Sequence, residues 1–142
     1  MVPSEQPRKQ HQFPLVRSFM TPVPETVGRQ QSLSSAERLM REHDIPHVPV
    51  VEGATVVGLL TQRDAVMAEG LPGVNSLDVR VDDVMTAHVF STTPDAPLAE
   101  VVTEMQKRGV ESVAVVENGH CIGLFTATDA LTALAELLTE PA

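Results

Sequence analysis

The residues of this sequence best suited to ligand chemistry are a threonine and an aspartate three residues apart, and the pair occurs twice. Thr61 and Asp64 stand in Gly-Leu-Leu-Thr-Gln-Arg-Asp, and Thr126 and Asp129 stand in Gly-Leu-Phe-Thr-Ala-Thr-Asp. A carboxylate can accept two hydrogen bonds from a ribose cis-diol, whereas a hydroxyl beside the free N–H groups of a helix start favours phosphate. A single copy would be more simply explained as a helix-capping pair. The second copy, in the same setting, favours a ligand site.

Each Thr–Asp pair follows an apolar stretch and opens a helix, so that Thr61 and Thr126 are predicted N-caps. Upstream, each half reads as a helix, a strand, a tight turn and a return strand. Ser34 and Glu37 predict a capping box for the first helix, and Gly109 predicts the end of its counterpart. The predicted elements are helices ending near residues 43, 109 and 139, and strands at 47–51, 55–60, 112–116 and 120–125.

The two halves form an internal repeat with an offset of 65 residues (126 minus 61), and residues 20–64 align with 85–129 without a gap. Met20-Thr21 opens the first copy and Met85-Thr86 opens the second. A two-stranded hairpin with two helices cannot bury its apolar surface alone, so we expect the copies to pack face to face. The predicted organisation is a flexible tail at 1–13, a first repeat at 14–73 and a second repeat at 74–142.

Composition limits the classes of function. The net charge of −9 and the lack of Tyr and Trp argue against a nucleic-acid surface. The single cysteine, Cys121, excludes an intramolecular disulfide and fits a cytoplasmic location, and its apolar setting predicts a buried thiol. No apolar run reaches membrane-spanning length, so no membrane association is expected.

Neither a catalytic site nor a metal site is predicted. His43 and His47 are four residues apart, but Pro46 ends the helix between them, so they do not form a helical metal pair. His88 and His120 lack a carboxylate-rich setting. The chain shows no recognisable nucleophile elbow and no glycine-rich phosphate loop, so we expect a protein that is not an enzyme.

The repeated Met-Thr, the apolar strand and the Gly-x-x-Thr-x-x-Asp motif together resemble a tandem pair of CBS domains, named after cystathionine beta-synthase. The resemblance covers roughly residues 14–138. It implies an α+β fold of two repeats related by a pseudo-two-fold axis, each a small sheet flanked by helices, with clefts between the repeats. It also implies binding of an adenosine ligand (AMP, ADP, ATP or S-adenosylmethionine), no required cofactor, and a homodimer.

Transferred to this sequence, the resemblance implies two sites in which aspartate binds ribose and threonine lies near ribose or phosphate. The first would combine Thr61 and Asp64 with a base-lining set of Ile45, His47, Val48 and Pro49. The second would combine Thr126 and Asp129 with Val110, Ser112, Val113 and Ala114. Further candidates are Thr26 and Ser91, and the basic residues near the phosphate end are Arg41, His43, Arg63, Lys107 and Arg108.

The two linings differ at 46–49 and 111–114, which predicts unequal sites. Pro24 also falls in the first expected strand, where it would disrupt ladder pairing.

The sequence supports two functional hypotheses. The first is a stand-alone regulatory module that senses adenosine ligands, and hence energy status, for an unidentified protein partner. The second is a structural dimerisation module that binds no nucleotide, in which the Thr–Asp pairs serve only as helix caps.

Overall fold

The computed structural model describes residues 14–23, 25–87 and 89–139. The predicted flexible tail and the predictions for Pro24 and His88 therefore lie outside the described residues. No helix within the described ranges is long and apolar enough to cross a membrane.

The predicted elements form, and each hairpin strand extends one residue beyond its predicted end. The helices are α1 (Leu33–His43), α2 (Gln62–Glu69), α3 (Val81–Val84), α4 (Leu98–Arg108) and α5 (Ala127–Thr139), preceded by a 3-10 turn at Val16–Ser18. The strands are β1 (Thr21–Pro22), β2 (Val27–Gly28), β3 (His47–Glu52), β4 (Thr55–Thr61), β5 (Ser91–Thr92), β6 (Ser112–Glu117) and β7 (His120–Thr126). The fold is α+β, with two small sheets flanked by helices, as predicted.

The chain divides into two compact units that are discontinuous in sequence. Unit A comprises Val23–Phe90 and Asn118–Cys121. Unit B comprises Met1–Pro22, Ser91–Glu117 and Ile122–Ala142. The segment that opens each repeat therefore lies in the unit built mainly from the other repeat.

Unit A contains a three-stranded sheet in the order β2-β3-β4, with β2 parallel and β4 antiparallel to the central β3. Leu33 and Met40 of α1 are buried against Val48, Val50 and Leu60 of the sheet. This apolar face follows from their helical spacing on α1 and the alternation along the strands.

Unit B contains a four-stranded sheet in the order β1-β7-β6-β5. Its core includes Phe125 and Val113 from the sheet and Leu98, Val101 and Met105 from α4, all buried. The α4 residues recur at helical spacing, so they form one apolar stripe.

The glycine of the repeated motif is required because another chain segment crosses it at contact distance. A Cβ on Gly123 would lie 2.7 Å from the carbonyl oxygen of Thr21, and one on Gly58 would lie 2.8 Å from that of Thr86. Thr21 pairs with Leu124 in β7, and Thr86 pairs with Leu59 in β4. Each Met-Thr segment thus lies directly on the return strand that leads into a Thr–Asp turn.

Two sequence predictions are wrong. The N-cap of α1 is Ser32 rather than Ser34, and the Ser32 hydroxyl accepts the Ser35 N–H at 3.1 Å. Glu37 therefore lies in the second turn of the helix, too far from the start to act as a capping residue. Cys121 is half-buried rather than part of the core, because it lies at a strand position beside a polar pocket.

Candidate functional site

The Thr–Asp turn of unit A lies where β4 passes into α2. Thr61 is the N-cap, and its hydroxyl oxygen accepts the N–H of Asp64 at 3.0 Å. This hydrogen bond satisfies one of the free donors of the first helical turn. It also places Asp64 at the third helical position, as predicted from the sequence.

The Asp64 carboxylate is open. The side chain is half-buried, and the described residues provide no hydrogen bond and no ion pair to its oxygens. Arg63, one position earlier, is exposed and makes no ion pair within the described chain. The turn therefore presents two free acceptor oxygens next to a cation at the positive end of a helix dipole.

The start of β3 lies beside this turn. The Gln62 N–H donates to the carbonyl oxygen of Pro46 at 2.9 Å, and His47 is directly opposite Thr61 in the strand pair. Ile45 and His47 are half-buried at this point. The structure therefore brings two of the four predicted base-lining residues to the Thr–Asp turn.

The other two predicted lining residues in unit A, Val48 and Pro49, have buried side chains. The parallel partner β2 pairs with β3 only at Val50 and Val51. Because Val48 is buried over its whole residue, main chain included, Ile45 and His47 are the accessible members of this lining.

Unit B repeats this backbone but satisfies its carboxylate. The N–H of Asp129 donates to the Thr126 hydroxyl oxygen at 3.2 Å, and the N–H of Thr126 donates back to Asp129 Oδ2 at 2.9 Å. The Thr126 hydroxyl also lies 3.2 Å from Oδ2. This is a reciprocal capping box, in which an acid at the third helical position reaches back to the N-cap.

A further donor in unit B comes from a residue that the sequence analysis missed as a site residue. The Thr21 hydroxyl donates to Asp129 Oδ1 at 3.0 Å. The Met-Thr opening of each repeat was visible in the sequence, but its pairing with the return strand of the other repeat has no local signal. Thr86 occupies the matching position in unit A, and the described residues show no bond from its hydroxyl to Asp64.

The predicted lining of the second site has the same organisation. The Ala127 N–H donates to the Glu111 carbonyl at 2.9 Å, as Gln62 does to Pro46. Val110 and Ser112 are half-buried, and Val113 and Ala114 are fully buried. Ser91 pairs with Ala114 in β5 and is exposed.

Thr26 is placed differently from the other candidates. It lines a polar pocket of about 230 Å³ together with Glu25, Gly53 and Ala54. Because β2 begins opposite Val50, this pocket lies toward the far end of the hairpin from the Thr61 turn. Asp64 is not among the residues that line this pocket.

The basic candidates also differ between the units. His43 lies 3.6 Å from Glu25, and Arg108 donates to Glu104 at 2.7 Å. The Arg108 guanidinium, through this hydrogen bond, lowers the pKa of Glu104 below its usual value. Arg63, by contrast, directly precedes Asp64 in the sequence and has no acidic partner among the described residues.

The described residues contain no cluster of three or more His, Cys, Asp or Glu side chains arranged to hold a metal ion. What the two turns offer is hydrogen-bond acceptors and helix N–H groups. Such groups can form hydrogen bonds with a polar organic ligand.

The chain matches the family model of the CBS domain twice, over residues 16–70 and 81–136. Over 105 residues, 73% of this chain, it is 39% identical to inosine-5'-monophosphate dehydrogenase from Korarchaeum cryptofilum, covering 21% of that enzyme. The chain thus spans about a fifth of the length of this relative.

Two solved structures are similar over nearly the whole chain. One is a Vibrio cholerae protein assigned to acetoin utilization, AcuB, with 31% identity and a TM-score of 0.67, covering 91% of this chain and 99% of that one. The other is the CBS domain pair of protein MJ0100 in complex with 5'-methylthioadenosine and S-adenosyl-L-methionine. It is 23% identical with a TM-score of 0.69, and covers 88% of this chain and 98% of that one.

Proposed function

The chain belongs to the CBS domain family and carries that domain twice, and on this premise we propose that it is a regulatory module that binds an adenosine-containing ligand. The observation that carries the proposal is the open carboxylate of Asp64 at the capped start of α2. The domain pair of MJ0100, which shares the fold, was crystallised with two adenosine compounds. The candidate ligands are AMP, ADP, ATP and S-adenosylmethionine.

The chemistry of the turn suggests one orientation for such a ligand. A carboxylate repels phosphate, so Asp64 belongs at the ribose diol, where each free oxygen accepts one hydroxyl. The negative end of the ligand then lies toward the N–H groups that start α2 and toward Arg63. For S-adenosylmethionine, which carries a sulfonium in place of phosphate, the same ribose contact applies.

The base is assigned to the start of β3. Ile45 and His47 are half-buried there, and the residues after them in β3 are buried. An adenine ring carries both donors and acceptors along one side, which is suited to main-chain N–H and C=O groups, while an aliphatic side chain covers its face. We infer that the first site is the principal one, because the carboxylate of Asp129 already has three described donor contacts.

A thermal-shift panel tests this function directly. A ligand present at about 100 times its dissociation constant adds about 2.7 kcal/mol to the free energy of unfolding. We expect stabilisation by at least one of AMP, ADP, ATP, S-adenosylmethionine and 5'-methylthioadenosine, and none by a matched ribose-free control such as adenine. Absence of a shift with the entire panel at millimolar concentration would exclude the sensor function.

The second candidate is a structural dimerisation module, and one observation favours it. In unit B, α4 and α5 enclose an apolar groove of about 540 Å³ lined by residues that include Val102, Leu131, Leu134 and Leu137. Leu131 and Leu138 are 65% and 75% exposed. Contiguous apolar surface of this kind marks association sites more often than free surface.

Homodimerisation is compatible with either candidate, and we propose a second copy of this chain as the occupant of the α4–α5 face. Light scattering at tens of micromolar, roughly the range in which moderate interfaces assemble, should give the mass of a dimer. A Leu134→Glu variant places a charge in the groove and should yield monomer. Monomer for the unaltered chain at this concentration would reject the dimer and with it the structural alternative.

A further inference from the structure

The most unusual polar group in unit A is the carboxyl of Glu37, in the second turn of α1. Its Oε1 atom is buried and has no hydrogen-bond partner among the described residues. Such groups are rare, because an unpaired buried acceptor loses its hydration without replacement. The acidic group that acts on the Glu37 carboxyl is Glu69, the last residue of α2.

The repeat provides an internal control for these two positions. With the 65-residue offset, Glu37 corresponds to Val102 and Glu69 corresponds to Leu134. Val102 and Leu134 both line the apolar groove between α4 and α5 of unit B. The helix pair therefore packs with aliphatic side chains at both positions, so two acids are not a requirement of the fold.

The surroundings of Glu37 favour the protonated form of its carboxyl. Burial, followed by the hydrogen bond and the negative charge of Glu69, raises the pKa of Glu37 to about 7. The positive charge of Arg41, one turn along α1, acts to lower the pKa of Glu37. Two carboxylates that share a site bind one proton tightly, because they cannot both ionise without repulsion.

Other charged groups lie on the elements that pack on α1 and α2. On α3, Asp82 accepts a hydrogen bond from Arg29 at 2.9 Å, and Asp83 accepts the Arg80 N–H at 3.3 Å. Arg38 lies 4.0 Å from Glu42 on the outer face of α1. The remaining charged or titratable groups on these elements, on β3 and on the loop before α3 are His43, His47, Glu52, Arg63, Asp64, Asp78 and the Arg80 guanidinium.

The helix that carries Glu69, α2, has few buried side chains to pack it against the rest of unit A. α2 has eight residues, and Ala65 is its one buried residue, whereas Val66 and Met67 are 57% and 61% exposed. Elements with few buried contacts lie at the low end of local stability. A change in repulsion at the end of so short a helix acts on the whole element, including Asp64 in its first turn.

We propose that the buried carboxyl of Glu37 is a proton-operated switch, in which its protonated form holds α2 against α1 and its ionisation next to Glu69 loosens α2 and with it the Asp64 turn. The effect on ligand affinity rests on the function proposed above, but the movement of the turn does not. The corresponding turn in unit B, with Val102 and Leu134 behind it, has no such control.

The direction of the pH dependence follows from the raised pKa of Glu37. The folded protein holds a proton that the unfolded chain releases above about 4.5, the ordinary value. The stabilisation from this proton is therefore fully present below the ordinary pKa, decreases as pH rises, and is lost once pH passes the folded value near 7. We expect α2 to be packed against α1 at pH 5.5 and to be less stably packed at pH 8.

The test is a carboxyl and amide NMR titration of the ligand-free protein from pH 5 to 8.5. We expect the Glu37 carboxyl to titrate near 7, a proton affinity roughly 300-fold above the ordinary one. The Asp64 amide, which donates to Thr61, should shift with the same midpoint, and the Asp129 amide should not. In Glu69→Gln the Glu37 midpoint should fall toward its ordinary value.

Glu37→Gln should abolish the titration of the Asp64 amide, and Glu42→Gln, an acid on the same helix, should leave it unchanged. If Glu37→Gln fails to fold, the double change Glu37→Val with Glu69→Leu, which copies unit B, replaces it. An ordinary Glu37 midpoint, or an Asp64 amide that is flat while Glu37 titrates, overturns the switch. Failure of the nucleotide panel would reject the ligand function and leave this result standing.

Discussion

The two Thr–Asp turns have the same residues, spacing and backbone hydrogen bonds, yet their carboxylates are in opposite states. Asp129 accepts from the N–H and hydroxyl of Thr126 and from the hydroxyl of Thr21. Asp64 has its own N–H capped by Thr61, but the described residues leave its oxygens open. The same motif therefore supports two roles, a closed helix cap in unit B and an available acceptor in unit A.

The difference teaches that capping and ligand binding are not exclusive readings of this motif. In both turns the threonine satisfies the helix start, which is the part of the motif that folding requires. The aspartate carboxylate is not needed for this hydrogen bond. The orientation of the aspartate side chain decides whether the carboxylate accepts hydrogen bonds from the N-cap or remains open. Four predictions test this difference between the two turns.

The largest effect on stability is expected from alanine at the glycine that lies three residues before the threonine of each turn. In Gly58→Ala and Gly123→Ala, the added Cβ would meet a backbone carbonyl at 2.8 and 2.7 Å. Because backbone cannot move aside cheaply, each change should lower the free energy of unfolding by about 1–3 kcal/mol. Urea unfolding measures it, with Gly70→Ala as control, where the nearest atom is at 3.6 Å. Equal stability of all three variants would contradict the close crossing.

The second prediction concerns binding. Asp64→Ala should weaken the principal adenosine ligand by about 1.5–3 kcal/mol, or roughly tenfold to a hundredfold, because it removes a charged acceptor from the diol. Asp129→Ala should have a smaller effect on affinity, since its oxygens are already engaged. Calorimetric titration of both folded variants decides the order. A larger loss for Asp129→Ala would reverse the assignment of the principal site.

The third prediction reverses this order for stability. Without ligand, Asp129→Ala removes the reciprocal cap of α5 and the acceptor of Thr21, and should cost about 1–2 kcal/mol. Asp64→Ala removes only a favourable charge at the start of α2 and should cost about 0.3–0.5 kcal/mol. Chemical denaturation at one pH measures both values. If the two costs are the same, the closed and open states are not distinct in solution.

The smallest effect is expected for the opening threonines. Thr21→Val removes the hydroxyl that reaches Asp129 and should cost about 0.5–1.5 kcal/mol. Thr86→Val, at the matching position of unit A, should stay within about 0.5 kcal/mol of the parent. Thermal unfolding of the pair provides the comparison, in which a stable Thr21→Val would show that the third contact of Asp129 is unimportant.

Much of the local structure was predictable because it depends on groups a few residues apart. The caps at Thr61 and Thr126, the end of α4 at Gly109 and both hairpins were all predicted. The capping box at Ser34 was not correct, although the pattern was present, because Ser32, two residues earlier, is the N-cap of the helix. With Ser32 as the N-cap, Glu37 has no capping role and is the residue on which Glu69 acts.

The candidate sites divide in the same way. The sequence identified the Thr–Asp turns and the strand starts, and the structure brings Ile45 and His47 to the first turn. It did not identify Thr21, whose hydroxyl donates to Asp129. Burial of Val48 was also invisible to a motif, because motifs record chain positions and not the direction of a side chain.

By itself, the sequence determined the family, the order of helices and strands, and the two capped turns, because hydrogen bonds within a turn and apolar periodicity act over a few residues. Only the tertiary structure decided that the Met-Thr segment of one repeat lies on the return strand of the other. It alone decided that Asp129 is closed, that Asp64 is open and that two acids meet between α1 and α2. These features depend on groups far apart in the chain, and their distances are set by packing of the core rather than by local spacing.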